Sequence, residues 1–121
     1  MAKRILVVDD EPDILKVVVF RLKKLGYEII SAATGREALE LVKAGKPDLI
    51  LLDYRLPDMD GLEISKKIRA DKELKDTPII LLSASSGEDI SLAIKAANVN
   101  DYVKKPFDLE ELLDKVKRHL L

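Results

Sequence analysis

The chain has 121 residues, of which 47% are hydrophobic and 36% charged, so it suits one compact domain with a core of its own. Its formal net charge of -1 provides no basic field for direct nucleic-acid binding, and its lack of cysteine excludes disulfides, thiol catalysis and cysteine-bound zinc. No apolar run approaches the length of a membrane span and the N-terminus does not resemble a signal peptide, so we expect a cytoplasmic protein without membrane insertion.

Short apolar runs alternate with longer amphipathic stretches from one end of the chain to the other. The short runs are rich in leucine, isoleucine and valine and are bounded by turn residues, which is typical of buried strands. Five strands are predicted, at residues 5–8, 28–32, 49–53, 79–83 and 101–104.

The amphipathic stretches that follow these strands predict five helices, over about residues 12–25, 34–43, 62–70, 85–97 and 108–120. Pro12 suits the first turn of the first helix and Gly26 suits its end. Asn98, just after the fourth helix, is predicted to adopt a left-handed conformation, which asparagine tolerates. Capping boxes are predicted for the pairs Thr34 and Glu37, Ser85 and Glu88, and Asp108 and Glu111.

Strands that alternate with helices form a parallel sheet whose two faces are covered by helices. In such sheets, ligands bind beyond the carboxyl ends of the strands, where the strand order reverses. Five polar residues lie at or just past predicted strand ends: Asp9, Asp10, Asp53, Ser83 and Lys105. We therefore expect these side chains, distant in sequence, to converge at one edge of the sheet.

Three carboxylates that converge repel one another, which would raise the pKa of at least one of them. A divalent cation would relieve this repulsion, and oxygen ligands that leave room for waters favour Mg²⁺, or Mn²⁺, over zinc and copper. The Lys105 ammonium and the Ser83 hydroxyl could neutralise further phosphoryl oxygens. An aspartate carboxylate can itself be the nucleophile that carries a phosphoryl group.

Four motifs then identify a family: VVDDE, LLDYRLPDMDG, LLSAS and DYVKKPF. In this order and spacing they resemble the receiver domain of two-component response regulators. The resemblance covers essentially the whole chain, so residues 1–121 are expected to form one receiver domain. It implies a flavodoxin-like, doubly wound α/β fold with five parallel strands in the order 2-1-3-4-5, flanked by five helices.

The resemblance also implies a phosphoacceptor and a metal site. By matching position, Asp53 resembles the aspartate that is phosphorylated. Asp10 resembles a direct ligand of Mg²⁺, and Asp9 resembles a ligand that acts through a water molecule. Asp53 itself and the backbone carbonyl of Arg55 would complete the protein ligands.

Three further residues match positions that respond to phosphorylation in the family. Ser83 stands where the family has the serine or threonine that follows the phosphoryl group, and Lys105 matches its lysine. The Lys105–Pro106 bond is expected to be cis, as in relatives. Tyr102 resembles the aromatic switch residue that rotates when Ser83 moves.

The resemblance implies a signalling function and not a multiple-turnover enzyme. The phosphoryl group would come from a sensor histidine kinase or a histidine phosphotransfer protein in a phosphorelay. The receiver would catalyse its own phosphoryl transfer and its own slow dephosphorylation. Phosphorylation would change the surface of the fourth helix, fifth strand and fifth helix, which a downstream output protein or domain would recognise.

Each residue of this site also has a plain structural interpretation. The acids at residues 9–11 could cap the first helix, and Asp53 could cap the turn that follows it. Ser83 could be an ordinary strand-end hydroxyl, Lys105 a surface lysine and Tyr102 a half-buried strand aromatic.

Other functions fit the sequence less well. A haloacid-dehalogenase-type phosphohydrolase also uses an aspartate nucleophile with Mg²⁺, but it typically has an acid two residues later, where Arg55 stands. A nucleotide-binding module would need glycines after the first strand, and residues 9–12 contain none. A pseudo-receiver would usually lack one of the five key residues, all of which are present.

Overall fold

The structure, a computed structural model, describes residues 2–84 and 88–121. Five parallel strands form one sheet in the order β2-β1-β3-β4-β5, which confirms the predicted fold. The strands are β1 Arg4–Val8, β2 Glu28–Ala32, β3 Leu49–Asp53, β4 Ile79–Ser83 and β5 Asp101–Lys104. The helices are α1 Pro12–Lys24, α2 Gly35–Gly45, α3 Gly61–Ala70, α4 Glu88–Ala97 and α5 Leu109–His119.

The sheet is buried because alternate residues of the central strands face two separate apolar layers. Leu6, Ile50 and Leu81 pack in the layer beneath α2, α3 and α4. Val7 and Leu51 pack in the layer beneath α1 and α5. This two-sided burial explains why the central strands read as continuous apolar runs, without the polar alternation of a half-exposed strand.

Strand positions match the prediction closely. Only β1 differs, because it begins one residue earlier, at Arg4, which pairs in register with Glu28. The parallel register aligns Asp53 with Leu82 and Ser83 with Lys104. Strand ends that are far apart in sequence therefore meet at one edge of the sheet.

The helix ends differ from the prediction in detail. α2 continues to Gly45, two residues past its predicted end, and Lys46 adopts the left-handed conformation with φ 44°. The left-handed residue that follows α2 is therefore a lysine and not a glycine. After α4, Asn98 has φ 54°, which confirms the predicted left-handed position.

The predicted capping boxes are only partly correct. Thr34 Oγ1 accepts a hydrogen bond from the Glu37 N–H at 3.1 Å, but the Glu37 carboxylate accepts from the Ala33 N–H and not from that of Thr34. Asp108 caps α5 by accepting from the Glu110 N–H at 2.9 Å, one residue earlier than predicted. The Ser85–Glu88 capping box falls partly outside the described residues, since Ser85 is not among them.

Within the described part of the chain, no helix is both long and apolar enough to span a lipid bilayer.

Candidate functional site

Two buried carboxylates lie at the carboxyl edge of the sheet. Asp9 follows β1 directly, and its N–H donates to the Ala32 carbonyl at 3.1 Å, which holds it beside β2. Its side chain is fully buried, and its Oδ1 accepts from the Glu11 N–H at 2.9 Å. Asp53 is the last residue of β3 and is only 6% exposed. Asp10, in contrast, is exposed to solvent.

These acids lie close enough together to share a cation. One carboxylate oxygen from each of Asp9, Asp10 and Asp53 lies within 4.8 Å of the others. Such a group of hard oxygen donors, with one exposed member, suits Mg²⁺ or Mn²⁺ because these ions keep several water ligands. The residues therefore fit the divalent cation that the sequence predicts.

Lys105 brings a positive charge to the same acids. Its Nζ lies 2.9 Å from Asp9 Oδ2, 3.2 Å from Asp53 Oδ2 and 3.3 Å from Glu11 Oε1. The Lys105 N–H donates to the Ser83 carbonyl at 2.7 Å, so the backbone itself attaches this lysine to the end of β4. The Lys105–Pro106 peptide bond is cis, as expected.

Burial and charge act in opposite directions on these groups. Burial, and next the charge of Asp9, raise the pKa of Asp53 from 3.8 to about 6, although the Lys105 ammonium lowers it. Burial alone would lower the pKa of Lys105, but the hydrogen bonds and charges of Asp9 and Asp53 outweigh burial and raise it. One ammonium is thus too little positive charge for this set of acids, which favours binding of a further cation.

A cavity of about 310 Å³ opens beside Asp53. This volume is large enough for a phosphoryl group with several waters, since a water takes up about 30 Å³ in the liquid. The cavity brings together most of the residues that the sequence singled out, and the residues that line it are Asp10, Glu11, Asp53, Tyr54, Arg55, Ser83, Ala84 and Lys105.

The segment between β3 and α3 forms one wall of the cavity. The Tyr54 N–H donates to the Leu82 carbonyl at 2.8 Å, and the Gly61 N–H donates to the Tyr54 carbonyl at 2.6 Å. Arg55 forms an isolated antiparallel bridge with Asp60. The backbone of Arg55 is therefore held beside Asp53 although its side chain is exposed.

Tyr102 lies outside the cavity. It is on the strand adjacent to that of Ser83, as predicted, but its register partner is Leu81, whereas Ser83 pairs with Lys104. Lys115 of α5 lies 5.7 Å from the centre of the Tyr102 ring and donates to the Tyr102 carbonyl at 2.8 Å. Ser83 is buried and does line the cavity.

Sequence reasoning missed three residues of this region. Glu11 was interpreted only as a helix-capping acid, although its position next to two site aspartates could have suggested its contact with Lys105. Tyr54 and Ala84 line the cavity because they are neighbours of Asp53 and Ser83. Their side-chain types carry no chemical signal of their own.

Comparison with known proteins identifies a single family. A family model described as the response regulator receiver domain matches residues 5–117. A chemotaxis response regulator of Vibrio cholerae is 34% identical, with a TM-score of 0.93 over 99% of this chain and 100% of that one. A CheY-like receiver domain protein from Methanospirillum hungatei is 32% identical, with a TM-score of 0.92 over 99% and 94% of the two chains.

A third similar structure is the receiver domain of a sensor histidine kinase from Pseudomonas aeruginosa. It is 33% identical, with a TM-score of 0.89 over 99% of this chain and 98% of that one. That receiver domain has a magnesium ion coordinated in its active-site cleft.

Proposed function

Because the chain belongs to the response regulator receiver domain family, we propose that Asp53 is its phosphoacceptor and that residues 1–121 act as one receiver domain. The observation that carries this proposal is the proximity of Asp9, Asp10, Asp53 and Lys105 at the carboxyl edge of the sheet. The last three of these residues line one cavity. Among the carboxylates of this group, Asp53 is the one that is both buried and on the cavity wall, and Lys105 Nζ lies 3.2 Å from its Oδ2.

The reaction is a transfer of one phosphoryl group. An Asp53 carboxylate oxygen attacks the phosphorus of a phosphohistidine, a P–O bond forms, and the P–N bond to the imidazole breaks. The electron pair of that bond leaves with the imidazole, which takes up a proton. Lys105 Nζ already lies 3.2 Å from Asp53 Oδ2, so it can pair with a phosphoryl oxygen after a small movement.

A divalent cation, Mg²⁺ or Mn²⁺, belongs to this proposal. The carboxylates of Asp10 and Asp53 and the backbone carbonyl of Arg55 would hold it directly, and Asp9 would hold it through water. When bound, the cation supplies positive charge to the phosphoryl oxygens. Magnesium in the active-site cleft of the related Pseudomonas aeruginosa receiver supports this assignment.

The proposal extends to partners and to the response. A sensor histidine kinase or a histidine phosphotransfer protein supplies the phosphoryl group in the cytoplasm. The chain then catalyses its own slow dephosphorylation and does not turn over many substrate molecules. Ser83 and Tyr102 relay the phosphorylated state to the surface of α4, β5 and α5, where a downstream output protein or domain binds.

The test is measurement of intact mass after incubation with acetyl phosphate and Mg²⁺. Wild-type protein should gain the mass of one phosphoryl group, and neither protein in EDTA nor the Asp53→Asn variant should gain it. A slow return to the starting mass is expected once acetyl phosphate is removed. Rapid and continuous hydrolysis of acetyl phosphate without labelling would contradict the proposal and would indicate a phosphohydrolase.

A further inference from the structure

The wall segment between β3 and α3 has a tip that reaches away from the cavity. The Arg55–Asp60 bridge and the hydrogen bond from the Gly61 N–H to the Tyr54 carbonyl close the base of this segment. Residues 56–59 form the tip between the two bridged positions. What holds the tip therefore helps to determine how the backbone at its base is oriented.

Asp58, at this tip, binds the start of α2. Its Oδ1 accepts from the Gly35 N–H at 2.8 Å and its Oδ2 accepts from the Arg36 N–H at 2.9 Å. These two N–H groups lie in the first turn of α2, where no helical carbonyl is available to them. The two hydrogen bonds lower the pKa of Asp58, so its carboxylate is charged at neutral pH.

Packing holds the tip against the same helix. A Cβ atom at Gly35 would overlap the Met59 side chain, so the glycine leaves room for Met59 to pack in its present position. Leu56 and Met59 pack against the apolar layer beneath α2 and α3. α2 itself is anchored on that layer by the buried Ala38 and Val42, so the tip is attached to a fixed element.

We propose that Asp58 is a positioning residue for the metal site: by binding the start of α2, it fixes the backbone that carries the Arg55 carbonyl, which would be a ligand of the cation. This inference rests on the proposed function and names a residue that supports one ligand of the same site. A side-chain ligand can adjust by rotating its own bonds, but a carbonyl ligand turns only with its backbone. Outer groups that orient metal ligands typically contribute about 10–100-fold in metal affinity.

The experiment compares three variants by calorimetric titration of the unphosphorylated protein with Mg²⁺. Asp58→Ala should weaken Mg²⁺ binding by about tenfold, the lower end of that range. Thr34→Ala is the matched control, because it removes the other side-chain cap of α2, the bond to the Glu37 N–H, and leaves the tip intact. Its Mg²⁺ affinity should equal that of wild type. Urea unfolding of each variant checks that the titrated protein is folded.

Asp58→Asn separates positioning from simple charge, because its amide oxygen can still accept a hydrogen bond from α2. Most of the Mg²⁺ affinity should return in this variant. Equal losses in Asp58→Asn and Asp58→Ala would overturn the inference in favour of a distant charge effect. The inference would also be overturned if Asp58→Ala bound Mg²⁺ as tightly as wild type does, or if Thr34→Ala lost as much Mg²⁺ affinity as Asp58→Ala. If wild-type protein binds no Mg²⁺, the metal assignment of the proposed function has failed instead.

Discussion

Lys105 is a single positive charge shared among three acidic side chains, those of Asp9, Glu11 and Asp53. The raised pKa of Asp53 means that the folded protein holds a proton there more tightly than the unfolded chain does. The contribution of Asp53 to the free energy of unfolding is therefore highest below about pH 4, and it falls as the pH rises from about 4 to about 6. Without a cation, the charged site opposes folding at neutral pH.

Asp53→Asn should consequently stabilise the metal-free protein. At about pH 7 we expect the free energy of unfolding to rise by about 1–2 kcal/mol, less than the about 3 kcal/mol that the full pKa difference would allow, because an amide does not reproduce every hydrogen bond of a protonated carboxyl. At about pH 4 the gain should disappear, since the wild-type carboxyl is then protonated in the folded state. Urea unfolding in EDTA at both pH values measures this difference. If Asp53→Asn is less stable than wild type at neutral pH, the charged Asp53 carboxylate does not oppose folding and the prediction is wrong.

At the scale of elements, the sequence predicts the strands better than the contacts that link elements. Strands such as β3 and β4 consist of apolar residues that only a two-sided core can bury, so their limits are visible in the sequence. The partner of a cap depends on the exact path of the backbone, which explains why Asp108 binds the Glu110 N–H and not that of Glu111. Contacts between distant segments, such as Asp58 with Gly35, leave no periodic pattern in the sequence.

The roles of the site residues came from resemblance, and chemistry alone could not have assigned them. Carboxylates at strand ends predict a cation, and the observed proximity of Asp9, Asp10 and Asp53 fits that expectation. Nothing in the residue types, however, distinguishes Ser83 from an ordinary buried hydroxyl. The offset between Ser83 and Tyr102 follows from the pairing register of β4 with β5. That register could not be predicted from the sequence and is visible only in the structure.

Arg69 connects several elements at the edge of the sheet opposite the cavity. Its guanidinium donates to the carbonyls of Asn98, Leu74 and Thr77 at 2.9, 3.0 and 2.7 Å. It also donates to Asn100 Oδ1 at 3.0 Å, and the same oxygen accepts from the Ile79 N–H at the start of β4. This one side chain thus joins the ends of α3 and α4 to the sheet.

Arg69→Lys should therefore destabilise the fold more than an ordinary surface change would. A lysine keeps the charge but cannot reach four acceptors in one plane, so we expect a loss of about 2 kcal/mol in the free energy of unfolding. Lys67→Arg, a change of the same two residue types at an exposed site on α3, serves as the control and should be neutral. Urea unfolding compares the two variants, and equal stabilities would contradict the role of Arg69 as a link.

For the whole molecule, the proposed response is a shift between two arrangements of the surface formed by α4, β5 and α5. In the described structure Tyr102 is half-buried, with Lys115 beside its ring and bonded to its carbonyl. Phosphorylation can favour a second arrangement only through contacts that improve in it. Ser83 and Lys105 are the proposed sources of such contacts, because both line the cavity and join β4 to the segment after β5.

Ser83→Ala should separate phosphorylation from this response. The variant should still bind beryllofluoride, a phosphoryl mimic, at Asp53, because the carboxylates and Lys105 remain. The NMR shifts that beryllofluoride causes in wild type across residues 90–97 and Asp101–Lys104 should become much smaller. Unchanged shifts in the variant would show that the response does not pass through Ser83.

The central claim, that Asp53 is the residue that carries the phosphoryl group, is tested most directly by chemical trapping. Borohydride reduces an acyl phosphate to an alcohol, which converts a phosphorylated aspartate into homoserine that peptide sequencing by mass spectrometry can locate. After treatment with acetyl phosphate and Mg²⁺, we predict homoserine at position 53 alone, and none when EDTA is present. Homoserine at position 9 or 10, or its appearance without a divalent cation, would contradict the account.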